Sequence, residues 1–231
     1  RSLKKCVSAG ESLPLPVFQA WERETGIRIM DGIGSTEMLH IFISAPVEQV
    51  RPGATGLAVP GYEARVVDAD LRPVGPGEIG RLAVRGPTGC RYLEDPRQTD
   101  YVQGGWNLTG DTFEMDEDGY FTYRARNDDM IVTSGYNVGG PEVEDALLEH
   151  AAVAECAVVG VPDEDRGQVI KAVVVLRPGF DGGDAMVREL QDHVKATIAP
   201  YKYPRVVEFI AALPRTETGK VQRFVLRGET R

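Results

Sequence analysis

Apolar and polar positions alternate between two periods along this chain. Val17, Phe18 and Trp21 recur at helical spacing behind Pro14 and Pro16, and Gly26 supplies a stop. Ile27–Met30 then predicts a short strand, Asp31–Glu37 a glycine-rich turn, and Met38–Ile43 the apolar run that follows. This predicts a strand–loop–helix unit, in which α/β folds hold ligand groups on the loop. From Pro46 to about Arg126 the signal changes to short strands. Tyr62–Val67, Glu78–Arg85 and Tyr120–Arg126 are β-branched or aromatic in part, with Gly/Pro turns such as Arg72–Gly77 and Asp118-Gly119 separating them. They predict a small antiparallel sheet or barrel. Beyond Asp128 the signals mix. Pro141 suits a helix start, with Val143, Ala146 and Leu147 on one face. Glu155–Val161, Val169–Leu176 and Arg205–Ile210 predict strands, and Val187, Leu190, Val194 and Ile198 form one helical stripe.

These patterns predict an α/β and α+β chain in three parts. Residues 1–45 would form the end of an α/β domain, 46–127 a β-barrel-like subdomain, and 128–231 a small α+β domain. The length of 231 residues accommodates one to two domains, and a hydrophobic content of 42% can support a core. The formal charge of −9 argues against a nucleic-acid partner, which calls for a basic surface. No apolar run is long enough for a membrane-spanning helix. Cys6, Cys90 and Cys156 are odd in number, far apart and without CxxC spacing, which favours a reducing cytoplasm over a disulfide framework or zinc site. The chain opens on Arg1 and reads as the interior of a domain by Gly10, so it is expected to be a piece of a longer polypeptide.

Four segments carry candidate chemistry. In Gly34-Ser35-Thr36-Glu37, glycine lets backbone N–H groups approach a phosphate and the Thr36 hydroxyl can donate to it. Glu37 could hold Mg²⁺ bridged to phosphate oxygens. The same residues also read as a loop with a helix cap. Asp111, in Trp106–Asp111, could accept two hydrogen bonds from a ribose diol, or be an ordinary turn aspartate. Arg124–Asp129 reads as solvated charge, but it falls where the β-rich part ends, as hinges do. Lys220, beside Gly219 on a polar loop, is either a mobile point charge for a site or a plain surface lysine.

Taken in order, these segments resemble the adenylate-forming superfamily of acyl-CoA synthetases, adenylation domains and luciferases. Ser8–Glu11 is similar to its adenine-side loop, Gly34–Glu37 to its Gly-x-Thr-Glu motif, and Thr109-Gly110-Asp111 to its ribose motif. Arg126–Asp129 is similar to its hinge motif and Thr218-Gly219-Lys220 to its catalytic-lysine loop. Asp31–Phe42, Ala151–Pro162 and Tyr201–Pro204 resemble the benzoate–CoA and 2-aminobenzoate–CoA ligase branch.

The resemblance implies a ligase that uses ATP, Mg²⁺, CoA and a small carboxylic acid. Gly10, Glu11 and Gly34 would line the nucleotide, Thr36 would contact phosphate, and Glu37 would hold the metal. Asp111 and Arg126 would bind the ribose, and Lys220 would bridge the attacking carboxylate and the phosphate. Asp128 would be the hinge of a mobile C-terminal lid, whose rotation withdraws Lys220 and brings Gly135, in Ser134–Tyr136, toward the thiol. His40 would line the acyl pocket; its bland reading is a histidine packed on the Met38–Ile43 segment. His150 and His193 read as surface, Cys156 as inert core, and Lys171 as either near the CoA end or a strand-edge lysine. Three departures stand out: Ala125 replaces the usual glycine, Ile33 replaces an adenine-stacking aromatic, and Asn137–Pro141 carries an extra-looking glycine.

The leading function is an aromatic acid–CoA ligase. Alternatives are an acetate or medium-chain ligase, a carrier-protein-loading adenylation domain, or a non-catalytic C-terminal binding module. The resemblance makes the chain roughly the C-terminal two-fifths of a ligase, lacking the upstream phosphate loop. The missing N-terminal portion would be its necessary partner. By itself the chain is therefore expected to form no adenylate; ATP-dependent acyl-CoA formation by these residues alone would overturn that.

Overall fold

The computed structural model describes residues 2–89 and 91–229. Arg1 and Cys90, both singled out in the sequence, lie outside the described residues. The chain divides into two compact units, residues 1–128 and 129–231.

The first unit holds two sheets. In the first, β1 (Cys6–Ala9) pairs in parallel with β2 (Ile29–Gly34), and β3 (Ile41–Ser44) and β4 (Leu57–Ala58) continue it antiparallel in the order β1-β2-β3-β4. Helix α1 (Leu15–Thr25) connects β1 to β2; it ends on Gly26, whose φ of 70° is left-handed and whose N–H returns to the Glu22 carbonyl. Phe18 is the helix residue that is fully withdrawn, packing with Ile29, Ala45 and Val50.

The second sheet is antiparallel: β5 (Glu63–Val67), β6 (Ile79–Arg85), β7 (Val102–Gln103), β8 (Trp106–Met115) and β9 (Phe121–Arg126), with the short helix α2 (Arg97–Tyr101) before β7. β8 is its spine, pairing β6 on one side and first β7, then β9 on the other. Met38, Phe42 and Ile43 of the first sheet's hairpin share one core with Val66, Leu82, Phe113 and Phe121 of the second. That common core fuses the two sheets into one unit.

Two elements differ from the sequence reading. Met38–Ile43 does not continue as a helix; Ser35–His40 is a turn, and Ile41–Ser44 returns as a strand against β2. Gly34 explains the tightness of this turn, because any Cβ there would collide with the His40 carbonyl. The second difference is Trp106–Met115, one continuous ten-residue strand with Asp111 inside it rather than after a tight turn. Its polar Asn107, Thr109 and Asp111 and its Gly110 hide the strand from a hydrophobicity pattern.

The second unit is α+β. A sheet of β10 (Ile131–Thr133), β11 (Tyr136–Val138), β12 (Val153–Asp163), β13 (Gly167–Leu176) and β14 (Val206–Phe209) runs β11-β10-β13-β12, with β14 parallel to β13. Helices α3 (Gly140–Leu148) and α4 (Asp184–Thr197) cover one face through Val143, Leu147, Leu190 and Val194 against Val158, Ile170 and Ala172. Alternate residues Ala157, Val159 and Val173 face the other way and pack with Leu213, Leu226 and Val221 of the C-terminal segment, which ends in the single-turn helix α5 (Arg223–Leu226).

Three lone residues are corrected here. His150 and His193 are not free surface side chains: their rings meet edge to face at 5.1 Å, and His193 Nε2 lies 2.9 Å from the Ala146 carbonyl. Lys171 is not on an edge strand. β13 is paired on both sides, and the Lys171 ammonium donates to the Leu226 carbonyl at 3.2 Å while pairing with Glu208 at 2.7 Å. Cys156 is partly buried against the core under α3, and desolvation pushes its thiol well above the usual value.

Leu147 is fully enclosed between α3 and the sheet. Leu147→Ala should lower the unfolding free energy by ~2–5 kcal/mol in urea titration. Val132→Ala, at a half-exposed position of β10, should change it by less than about 1 kcal/mol.

Candidate active site

In the first unit, β1 and β2 are parallel and in register from Cys6↔Ile29 to Ala9↔Gly32, so their C-terminal ends open on the same side. Gly10 and Glu11 leave one strand there and Gly34–Glu37 the other. This is the end at which open α/β sheets present loops to ligands. Gly10 turns with φ of 97°. Thr36 and His40 are exposed on the turn, so the packed reading of His40 is not what the structure shows.

Glu37 is held from a neighbouring loop: the Tyr92 hydroxyl donates to its Oε1 at 2.6 Å. Partial burial works to raise the Glu37 pKa, but hydrogen bonds from Tyr92, its own amide and Ser35, with the positive charge of Arg126, outweigh it and leave the pKa lowered. The Thr88 hydroxyl further ties this loop to the turn by donating to the Met38 carbonyl at 2.8 Å.

Asp111 and Arg126 face one another across the β8–β9 pair, in direct register. The guanidinium lies 3.4 Å from Asp111 Oδ1 and 3.5 Å from Asp128 Oδ1, so Arg126 is not merely solvated charge. Burial raises the Asp111 pKa, against the pull of Arg126. Gly110 has φ of 80°, and a Cβ on it would stand 3.0 Å from Arg126 Nη2, so glycine both makes the local twist and leaves room for the guanidinium. Asp128, the candidate hinge, is the last residue of this unit.

The remaining candidates lie in the second unit. Ser134 and Gly135 both have positive φ, 49° and 83°, and form the tight turn between β10 and β11. Gly140 explains the doubled glycine before Pro141: a Cβ there would be 2.9 Å from the Val158 carbonyl, so its absence lets α3 start against β12. Lys220 sits exposed on a small hairpin. The Thr216 amide donates to the Lys220 carbonyl at 2.8 Å, the Lys220 amide donates to Thr216 Oγ1 at 3.1 Å, and Arg215 bridges Val221.

Residues 1–92 match the family model for AMP-binding enzymes, and residues 142–220 the model for the AMP-binding enzyme C-terminal domain. The chain belongs to the adenylate-forming, AMP-binding enzyme family. It is 46% identical over 228 residues to a benzoate–CoA ligase of Thauera aromatica, covering 97% of this chain and 43% of that protein. It is 44% identical over 239 residues to the human mitochondrial acyl-coenzyme A synthetase ACSM5, covering 99% and 41%. Among solved structures, the anthranilate CoA ligase AuaEII in complex with anthranoyl-AMP superposes with a TM-score of 0.92 at 44% identity, over 98% of this chain and 44% of that one. The chain thus spans about two-fifths of the length of the curated relatives it matches.

Within this chain, two residues escaped the sequence reading. Tyr92 stands 55 positions from Glu37, and only folding brings them together. Asp31 was visible as part of the glycine-rich segment but carried no role. Burial raises its pKa to about 7, opposed by a hydrogen bond from the Gly32 amide. The unfolded carboxyl titrates near 3.9. Between these values the Asp31 carboxyl is protonated in the folded state and ionised in the unfolded one, so its contribution to stability is full below pH ~4 and is lost as the pH rises to about 7. Asp31→Asn should remove that contribution, read as a urea midpoint that falls less steeply with pH across this window. An unchanged slope would assign the effect to another group.

Proposed function

We propose that this chain supplies the ribose-, metal- and lysine-bearing portion of an AMP-forming acid–thiol ligase acting on a benzoate-like aromatic acid. The observation that carries the reading is the convergence in the first unit: Glu37 lies within electrostatic reach of Arg126, which itself pairs with Asp111, although the three are dispersed over ninety positions of sequence. Similarity to a benzoate–CoA ligase and an anthranilate CoA ligase over nearly the whole chain supports the aromatic substrate.

In this reading a carboxylate oxygen attacks the α-phosphorus of ATP, the bond to the bridging oxygen breaks, and pyrophosphate leaves. The sulfur of CoA then attacks the acyl carbon, the acyl–oxygen bond breaks, and AMP departs while the thiol proton is lost. Asp111 accepts hydrogen bonds from the ribose hydroxyls, with Arg126 holding the Asp111 carboxylate and contributing to the same subsite. Gly10, Glu11 and Gly34 border the nucleotide, and Thr36 donates to phosphate. Lys220 neutralises charge developing between the attacking carboxylate and the phosphate. Asp128 is the hinge between half-reactions, Gly135 approaches the thiol, and His40 orients the acid.

Glu37 suits Mg²⁺ of a particular kind. Among the described residues no group of three or more His, Cys, Asp or Glu could cage a metal, whereas Mg²⁺ shared with substrate phosphates needs only one or two carboxylates plus water. Mg²⁺ bound there would neutralise the phosphate charge.

A surrounding partner segment is supported by exposed apolar side chains on the first unit, including Val7 on the edge strand β1 and Val17 on α1. Among the described residues no helix is long and apolar enough to cross a membrane. Free thiols at Cys6 and Cys156 support a reducing cytoplasm. An acetate or medium-chain acid is the second reading, because the 44% identity to a protein named only as an acyl-coenzyme A synthetase does not favour an aromatic acid.

The test is ATP–pyrophosphate exchange by the complete open reading frame with benzoate, 2-aminobenzoate, 4-hydroxybenzoate, acetate and hexanoate. Aromatic acids should drive exchange, and Lys220→Ala should reduce it by roughly 10²–10³. Exchange with aliphatic acids alone would discard the aromatic substrate, and none with any acid would discard the ligase.

A further inference from the structure

Lys220 has to reach a site from a hairpin that is itself exposed, so something must fix the hairpin. Its own hydrogen bonds between Thr216 and Lys220 close the turn but attach it to nothing else. The attachment comes from the residues flanking both arms. On the incoming arm, the Arg215 guanidinium donates through Nη2 to Glu155 of β12 at 2.6 Å and through Nη1 to the Gly219 carbonyl at 2.8 Å, one residue before Lys220. On the outgoing arm, Arg223 donates to Glu144 of α3 at 2.5 and 3.2 Å and to the Val158 carbonyl of β12 at 3.1 Å.

The second anchor is the more enclosed of the two. The Glu144 and Arg223 side chains are 11% and 18% exposed, against 49% and 44% for Glu155 and Arg215. Glu144 also accepts the Val158 amide at 2.7 Å. Among the described residues β12 pairs only with β13, so Val158 presents its N–H and C=O at a free sheet edge. The ion pair satisfies both groups, which makes Arg223 part of the strand's own hydrogen bonding. An arginine fork suits both anchors, because one planar group can bind a carboxylate and a carbonyl at once where an ammonium is a point charge.

We propose that Arg215 and Arg223, with Glu155 and Glu144, form a two-armed clamp that positions Lys220 for the adenylation half-reaction. They are positioning residues; none of them need touch the substrate. The proposal rests on the ligase reading above. It implies that loosening the clamp slows the step in which Lys220 acts and spares the step from which Lys220 is withdrawn.

The experiment uses the complete open reading frame with Arg215→Ala and Arg223→Lys. The first variant is at a half-exposed side chain and leaves the enclosed pair intact; the second keeps the charge but loses the fork. Two readouts are taken. Deuterium exchange of the 215–222 segment should quicken about tenfold, while amides shared by β12 and β13 keep their protection. ATP–pyrophosphate exchange should fall about tenfold or more, with transfer from synthetic benzoyl-adenylate to CoA within about twofold of the parent. Equal losses in both half-reactions, or lost protection across β12 and β13 as well, would assign the arginines a merely structural role and overturn the proposal. Unchanged hairpin protection in both variants would do the same. If the parent protein catalyses no exchange with any acid, the ligase reading falls and with it the half-reaction assignment, while the deuterium readout still decides whether the arginines hold the hairpin.

Discussion

Val158 sits on the free edge of β12, and α3 packs directly over it. Its N–H and C=O are thereby drawn away from water and need partners, because an unpaired buried peptide group costs about as much as a lost hydrogen bond. Glu144 and Arg223 supply them. Much of the second unit follows. Gly140 must lack a side chain for α3 to come so close. Glu144 must lie on the inner face of α3, and its charge then requires a cation. That cation comes from the segment just beyond Lys220. The lysine hairpin is therefore attached through the same groups that complete the sheet, so fold and candidate chemistry share one set of hydrogen bonds.

The first unit meets an equivalent demand differently. Asp111 is pressed into the middle of a long strand, where burial disfavours its charge. Arg126, in register across the β8–β9 pair, offsets part of that cost and is in turn flanked by Asp128. Glu37 receives hydrogen bonds to its ionised form from Tyr92 and Ser35. The two carboxylates thus differ in direction of shift because one is surrounded by donors and the other is chiefly desolvated.

The sequence made several strands and the two longer helices of the second unit legible, because Val143, Ala146, Leu147, Leu190 and Val194 all recur at helical spacing and all pack inward. It misled at Met38–Ile43, where six residues, apolar but for His40, read equally as helix or strand and the decision falls to the close approach of Gly34 to the His40 carbonyl. β8 was hidden by its own polar site residues. The motif segments singled out Glu37, Asp111, Arg126 and Lys220 as candidates, but not what holds them. Tyr92, Glu144 and Arg215 bear on those residues through contacts between distant parts of the chain, which no local pattern encodes. His150, His193 and Lys171 were misjudged for the same reason: a polar side chain read alone appears solvated until its partner is known.

The choice of guanidinium at both hairpin anchors has a consequence for acid–base behaviour. An arginine side chain stays cationic at every pH a folded protein ordinarily meets. Asp31 in the first unit behaves oppositely, changing charge near neutrality. The positive charge that holds the lysine hairpin is thus drawn from the residue type whose charge varies least, whereas burial makes the charge of Asp31 depend on pH near neutrality.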